Sequence, residues 1–308
     1  MSTAPAGTVL GIVPVIPTPF TAQQEVDFDA LDGLMEFAVR AGVKAACLPA
    51  YGSEFYKLSD SERGKVVERA VQAAAGRLLV VAQSNHPSPR LASEIAIRNE
   101  DRGANIISFA LPRQFALPEE ELVRYSEKVC CAVRVPVLIQ DFNPGGPTVG
   151  AAFARRLMQT VSNFCFLKLE ESLMGAKVRA IREATQDVVG VLEGWGGMYL
   201  MELIPDGIAG AMPGLAMSDL FVRVWELARG GDIDEAMDIH AAMLPQIIYA
   251  LQNMELFHHA EKLLLKARGL LDSAAVREPA LPLDVAMATH LTALNRKVLR
   301  ELARLQLT

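Results

Sequence analysis

Apolar, β-rich runs recur along this chain at intervals of roughly thirty residues, the length of a strand–helix repeat. Eight of them read as strands: 11–16, 45–50, 78–84, 106–111, 136–142, 165–170, 188–193 and 207–212. The segments between carry helical periodicity and helix punctuation. Residues 27–41 open with acids and stop at Gly42. Residues 59–75 open with Ser59-Asp60-Ser61-Glu62, the shape of a capping box, and stop at Gly76. Residues 87–102 end at Gly103, and Pro118 starts the next helix with acids in its first turn. Further helices fill 150–161, 172–185 and 197–204. This alternation predicts an α/β fold, a (β/α)8 TIM barrel rather than an open doubly wound sheet. A dinucleotide fold needs Gly-x-Gly-x-x-Gly after its first strand; here that place holds Pro17-Thr18-Pro19-Phe20.

After Met212 the pattern turns wholly helical, with apolar-faced stretches at 220–229, 233–251, 255–271 and 283–305 and a loop near 276–282. The expected organisation is a barrel over residues 1–230 and a C-terminal helical extension, 231–308, of the same unit. No flexible linker separates them.

Composition narrows the function classes. Of 308 residues, 51% are hydrophobic, enough for a sizeable core. A net charge of -6 gives no basic footprint for nucleic acid, and no polybasic run suits a membrane surface. Residues 1–8 lack the features of a signal peptide, and no apolar run reaches transmembrane length. Four cysteines, two of them adjacent (Cys130 and Cys131), match neither a disulfide framework nor zinc-ligand spacing. A cytoplasmic protein without nucleic-acid or membrane partners is expected.

The chemistry points to the strand 165–170. Period-two alternation places Phe166, Lys168 and Glu170 on one face and Leu167 and Leu169 on the other. A lysine amine among apolar groups loses the solvation that favours its charged form, so neutral amine becomes available to attack a carbonyl. Lys168 is therefore a candidate Schiff-base nucleophile. The plainer alternative is a strand-end lysine that snorkels to solvent or pairs with Glu170.

In a barrel, chemistry collects at the C-terminal strand ends. The first strand ends in Thr18, and the second leads into Ala50-Tyr51-Gly52-Ser53-Glu54. The third leads into Gln83-Ser84-Asn85-His86, the fifth carries Gln140 and Asp141, and the seventh leads into Glu193-Gly194-Trp195-Gly196-Gly197. Glu170, two residues past Lys168, is a candidate general acid and base. The N–H groups and hydroxyl of the Gly52-Ser53 turn suit a substrate carboxylate, though such a turn also serves as a plain helix cap. Asp141 suits a substrate hydroxyl or, equally, a neighbouring loop backbone. Of five histidines only His86 stands at a strand end, and no His/Glu cluster has ligand spacing. A metal-dependent aldolase is disfavoured, and neither metal nor cofactor is expected. Residues 194–219 contain no lysine or arginine, which disfavours a phosphorylated substrate.

Several of these segments together resemble the dihydrodipicolinate synthase/N-acetylneuraminate lyase family. They are Gly11-Ile-Val-Pro-Val-Ile-Pro-Thr-Pro-Phe20, the turn Gly52–Glu54 with Leu58-Ser-Asp-Ser-Glu-Arg63, Pro136-Val-Leu-Ile-Gln-Asp141, and Phe166-Leu-Lys168. The resemblance runs from about residue 10 to residue 220. It implies a (β/α)8 barrel, usually a homotetramer, whose lysine forms a Schiff base with pyruvate or another small 2-oxo acid. The carboxylate of that acid would rest on the turn at Gly52 and Ser53.

The departures are informative. The family's Tyr-Asn-x-Pro on strand five is matched by Asp141-Phe142-Asn143-Pro144, which puts Asp141 in place of the proton-shuttling tyrosine. The Gly-Thr-Thr-Gly-Glu loop reads Ala50-Tyr51-Gly52-Ser53-Glu54, and the tyrosine pair after strand four reads Arg113-Gln114. The arginine that binds a second carboxylate is absent from Gly145-Gly-Pro-Thr148. Condensation of pyruvate with aspartate semialdehyde fits this set poorly. The pattern is instead similar to the 2-keto-3-deoxy-L-arabonate dehydratase-like branch, with Gln-Asp on strand five, Lys-x-Glu on strand six and a Ser-Glu turn after strand two. In that reading Lys168 forms the imine and Glu170 moves the protons. Thr18, Gly52, Ser53, Asp141 and Gly194 would contact substrate. The segment Arg113-Gln114 is where a neighbouring subunit would contribute. A pyruvate-releasing aldolase is the rival with the same chemistry, and a catalytically idle barrel that binds 2-oxo acids is the rival from another class.

Overall fold

A computed structural model describes residues 9–143 and 146–307; the stretch 1–8, Pro144 and Gly145, all used above, lie outside these. Eight parallel strands follow one another in chain order: β1 (Gly11–Ile12), β2 (Ala45–Leu48), β3 (Leu79–Gln83), β4 (Ile106–Ala110), β5 (Val137–Phe142), β6 (Phe164–Glu170), β7 (Gly190–Glu193) and β8 (Gly210–Ala211). β1 pairs with β8, and a bridge from Val15 to Cys47 joins the first strand segment to β2, so the sheet closes into the expected (β/α)8 barrel.

Two strands are shorter than their apolar runs. Regular pairing in the first ends at Ile12 because Pro14 brings no N–H to the ladder, and Val15 resumes contact on both sides, with Cys47 and Gly214. In the last, Gly207 turns the chain at φ +81° before pairing begins at Gly210. A Cβ on Gly210 would stand 2.0 Å from the Gly11 carbonyl oxygen, so only glycine lets β1 and β8 approach.

Helices α1 (Phe28–Arg40), α2 (Asp60–Ala74), α3 (Pro89–Asp101), α4 (Glu119–Cys130), α5 (Ala151–Thr160), α6 (Gly175–Thr185), α7 (Leu200–Leu203) and α8 (Ser218–Gly230) surround the barrel. The capping box of α2 forms as its sequence predicts, with Ser59 and Glu62 each bonding the other's backbone N–H. α7 is a single turn because Gly196 and Gly197 adopt left-handed φ of 67° and 82°. Three longer helices follow: α9 (Ile233–Ala250), α10 (Met254–Ala267) and α11 (Val285–Arg304). Ala236, Ile239, Met243, Leu264 and Val298 of these helices belong to the same apolar core as the outer faces of the strands. A separate inner core fills the barrel, with Val15, Cys47, Val81, Ile106, Leu138, Phe166 and Leu192 among its members.

Among the described residues, no helix is long and apolar enough to cross a membrane. No group of three or more His, Cys, Asp and Glu side chains stands ready to hold a metal there either. All four cysteines are free thiols.

Candidate active site

β6 delivers Lys168 and Glu170 to the mouth of the barrel, above the ring of Phe166. Lys168 Nζ stands 3.0 Å from Glu170 Oε1, and each side chain is only 8% exposed. The register pairs Lys168 with Gln140 on β5 and Leu192 on β7. Gln140 is the polar inward residue of β5, and its amide donates to Glu170 Oε1. Gln83 of β3 in turn donates from Nε2 to Gln140 Oε1 at 2.5 Å. Four polar side chains thus form one connected line across the barrel interior. Gly194, just past β7, leaves space for both reacting groups: a Cβ there would meet Glu170 Cγ at 2.5 Å and Lys168 Cε at 2.9 Å.

Aromatic rings edge this line. Tyr51 packs against Phe142 with centroids 6.2 Å apart, and Phe142 against Trp195 at 5.9 Å. Burial pushes the Tyr51 phenol above its ordinary range, and the negative charge of Glu170 pushes it further. Glu193, wholly buried, accepts from the N–H groups of Trp195 at 3.0 Å and Gly197 at 2.7 Å, which shapes the glycine-rich loop. Burial pushes its carboxyl up to about 7, against the opposing pull of the Gly197 and Tyr199 N–H groups.

The turn after β2 is built by its neighbours. Ser53 is fully buried; its hydroxyl donates to the Ile16 carbonyl at 2.6 Å and accepts from Ala50 N–H at 2.9 Å. Thr18 donates to the Ser53 carbonyl at 2.7 Å. Both hydroxyl protons are therefore committed to backbone, which corrects the expectation that the Ser53 hydroxyl is offered to a carboxylate. These side chains staple the turn to the first strand segment, and the turn's recognition capacity lies in its backbone. Gly52 fits closely there: a Cβ would press on Phe257 of α10 at 3.0 Å and on Val15 at 3.1 Å, and those side chains would have to give way. Glu54 locks the turn from the other side: its buried carboxylate pairs with Lys262 at 2.6 Å and Lys57 at 3.1 Å. The C-terminal helices thus hold the turn's shape.

Of the two readings of Asp141, the structure has the loop backbone and not a place beside Lys168. Asp141 points away from the barrel interior, because Gln140 takes the inward position beside Lys168. Its carboxylate receives Arg113 Nε at 2.8 Å and Nη2 at 2.6 Å, and the Val149 N–H at 2.7 Å. It therefore closes the loop after β4 onto β5 and does not face Lys168. Arg113, expected at a neighbouring subunit's site, turns back into its own chain. His86 is likewise engaged locally, accepting from Ser88 N–H at 2.9 Å. The roles of Gln83 and Gln140 were missed although both residues stand at strand ends; the signal was their inward parity, which requires the register of β3, β5 and β6 together.

Comparison with known proteins agrees with this architecture. The Dihydrodipicolinate synthetase family profile matches residues 8–297. L-2-keto-3-deoxyarabonate dehydratase from Azospirillum brasilense is 26% identical over 295 residues, covering 94% of each chain. A putative 2-dehydro-3-deoxy-D-gluconate aldolase, YagE, from Escherichia coli is 27% identical over 301 residues, 94% of this chain and 96% of the relative. The crystal structure of dihydrodipicolinate synthase from Rhodopseudomonas palustris superposes with a TM-score of 0.89 at 25% identity, over 96% of this chain and all of that one. A barrel with a lysine and a carboxylate at its mouth, matched over nearly its whole length, defines the class: the chain belongs to the dihydrodipicolinate synthetase family. It is an enzyme of that family's lyase class.

Proposed function

We propose that this lyase forms an imine between Lys168 and a 2-oxo acid, uses Glu170 as general acid and base, and dehydrates a 2-keto-3-deoxy sugar acid. Lys168 Nζ lies 3.0 Å from Glu170 Oε1, a pairing the plainer alternative also foresees; what carries the reading is that both side chains are buried at the C-terminal end of β6, each 8% exposed, in a chain whose family is one of lyases. Neutral amine attacks the C2 ketone, and loss of water gives the iminium. The iminium acidifies the C3 protons, and Glu170 takes one, leaving the electron pair in a C2–C3 enamine. The enamine pushes that pair into a C3–C4 double bond and expels the C4 hydroxyl, which leaves as water with the proton from Glu170. Hydrolysis of the imine consumes one water and frees Lys168, so the net change is loss of one water from the substrate.

Elimination and aldol cleavage differ in which proton Glu170 takes: one on C3 for the first, that of the C4 hydroxyl for the second, which would break C3–C4 and release pyruvate. The similarity to a 2-keto-3-deoxyarabonate dehydratase over 94% of both chains supports elimination. In this reading the carboxylate rests on the backbone at Gly52 and Ser53, Thr18 fixes that turn through its hydroxyl, and Gly194 keeps the mouth open. We read the assembly as a cytoplasmic homotetramer, on the family resemblance; light scattering on the purified protein tests the subunit number.

Borohydride reduction in the presence of pyruvate tests the imine: the expected result is a mass adduct on Lys168, absent from Lys168→Ala. No adduct with pyruvate or a keto-deoxy acid would leave the idle binder as the better account. Incubation with 2-keto-3-deoxy-arabonate then separates the outcomes, since dehydration lowers the product mass by one water and cleavage yields pyruvate.

A further inference from the structure

The line Gln83–Gln140–Glu170 has a direction, set by the carboxylate at its end. Gln83 donates to the Gln140 carbonyl oxygen, and Gln140 donates to the Glu170 carboxylate. The far end, Gln83 Oε1, is buried and has no hydrogen-bond partner. Gln83 is 1% exposed and Gln140 3%, and Gln83 shares a cavity of about 20 Å³ with Arg63, whose Nε is unpartnered too, so there is room for one bridging water at this end of the line. A carboxylate only accepts, so it draws the Gln140 amide nitrogen toward itself. That choice turns the Gln140 carbonyl toward Gln83, which must then answer with its own nitrogen. The alternative order, with both amides reversed, would face the Glu170 carboxylate with a carbonyl oxygen.

We propose that Gln83 is a positioning residue for the reaction: acting through Gln140, it fixes the direction of the amide line so that Glu170 Oε1 is held by an N–H and by Lys168, and Oε2 alone is left for proton transfer to and from substrate. This deepens the reading of Lys168 and Glu170 given above and rests on it. Several titratable or charged groups face the line. Lys168 shares the strand of Glu170, Tyr51 on the β2 turn and Glu193 on β7 feel the Glu170 charge, Cys47 on β2 feels that of Lys168, and Arg63, Asp60, Arg98 and Arg102 border the small cavity that Gln83 also lines.

Gln83→Glu is the discriminating variant because it keeps the shape and makes the direction titratable. Protonated, the introduced carboxyl donates to Gln140 as the amide does. Ionised, it accepts from Gln140 and reverses the line. The expected result is turnover close to wild type at low pH and a loss of tenfold or more as pH rises, a limb absent from wild type and from Gln83→Met. Borohydride trapping on Lys168 should be unchanged in all three proteins. A Gln83→Glu profile with the wild-type shape would overturn the proposal. Should that variant not fold, Gln140→Met decides: kcat is expected to fall at least tenfold with KM and the Lys168 adduct retained, and wild-type kcat would overturn it. Loss of the adduct in the wild-type protein would instead strike the imine mechanism itself, so the two failures read differently.

Discussion

Gly194 and Glu170 are matched by subtraction: the Cβ that Gly194 lacks would stand 2.5 Å from Glu170 Cγ. Contacts that close force something to move, and the mobile partner is the side chain proposed to carry the proton. Gly194→Ala is therefore expected to displace Glu170 and lower turnover by about a hundredfold, the scale on which a misplacement near 1 Å acts. Overpacking of the mouth should lower stability by about 1–3 kcal/mol. Steady-state kinetics beside a urea melt check both. Wild-type turnover in this variant would show that the placement of Glu170 is not limiting.

Glu170→Gln keeps the volume and the contact with Gln140 but removes the base. Turnover is expected to fall about 10²- to 10⁴-fold, the usual span for general acid–base catalysis. The borohydride adduct on Lys168 should survive, since the amine is intact. An adduct lost together with turnover would mean that Glu170 serves imine formation rather than the later proton transfers.

The pairing of Arg113 with Asp141 predicts a structural phenotype. Asp141 is fully buried and Arg113 mostly so, at 18% side-chain exposure. Arg113→Ala leaves a buried carboxylate without its counter-charge and should destabilise the protein by about 3–5 kcal/mol. The double variant Arg113→Ala/Asp141→Ala should lose less than the sum of the two single changes. Denaturant melts measure this directly. Simple additivity would argue that the ion pair does not couple the loop after β4 to β5.

His258 sets a pH response in the C-terminal extension. It is 1% exposed, its Nε2 lies 3.0 Å from the Tyr56 hydroxyl, and its Nδ1 has no partner. Burial pushes its imidazole down to about 3, with Lys262 and Lys57 adding to the shift and Glu255 opposing it. Between pH 6.5 and about 3 the unfolded chain holds a proton on this ring that the folded chain lacks, so stability falls as pH falls through that window. The loss through this group reaches the order of 5 kcal/mol at the lower end. Glu193 and Glu261, each pushed up to about 7 by burial, act with the opposite sign, their contribution fading as pH rises through 7. Wild type should therefore lose stability relative to His258→Gln between pH 7.5 and pH 4.5. A constant difference between the two proteins would remove His258 from the acid response.

Much of the site was legible in β6 alone. Alternation along Phe166, Lys168 and Glu170 placed amine and carboxylate on one face, and the apolar neighbours implied burial; both hold. The two readings of Asp141 stayed open because spacing back from Pro144 says nothing of which face a residue takes; pairing of Gln140 with Lys168 decided for the loop backbone. Ser53 and Thr18 were correctly placed near the turn, but their hydroxyls bond backbone 35 to 37 residues away, which no local pattern reveals. Gln83 and Gln140 are 57 residues apart and meet only across the barrel.

The sequence by itself determined the eight-fold strand–helix repeat, the family, and the pairing of Lys168 with Glu170, because each depends on short-range periodicity or on residues in one strand. Only the tertiary structure decided which groups surround that pair: Gln140 instead of Asp141 beside the amine, Arg113 folded home onto Asp141, and α10 braced against the turn at Gly52. Those outcomes follow from closure of the barrel. Its shear sets which residues of distant strands stand level with one another, and its closed ring lets a single misplaced parity turn a side chain from substrate to scaffold.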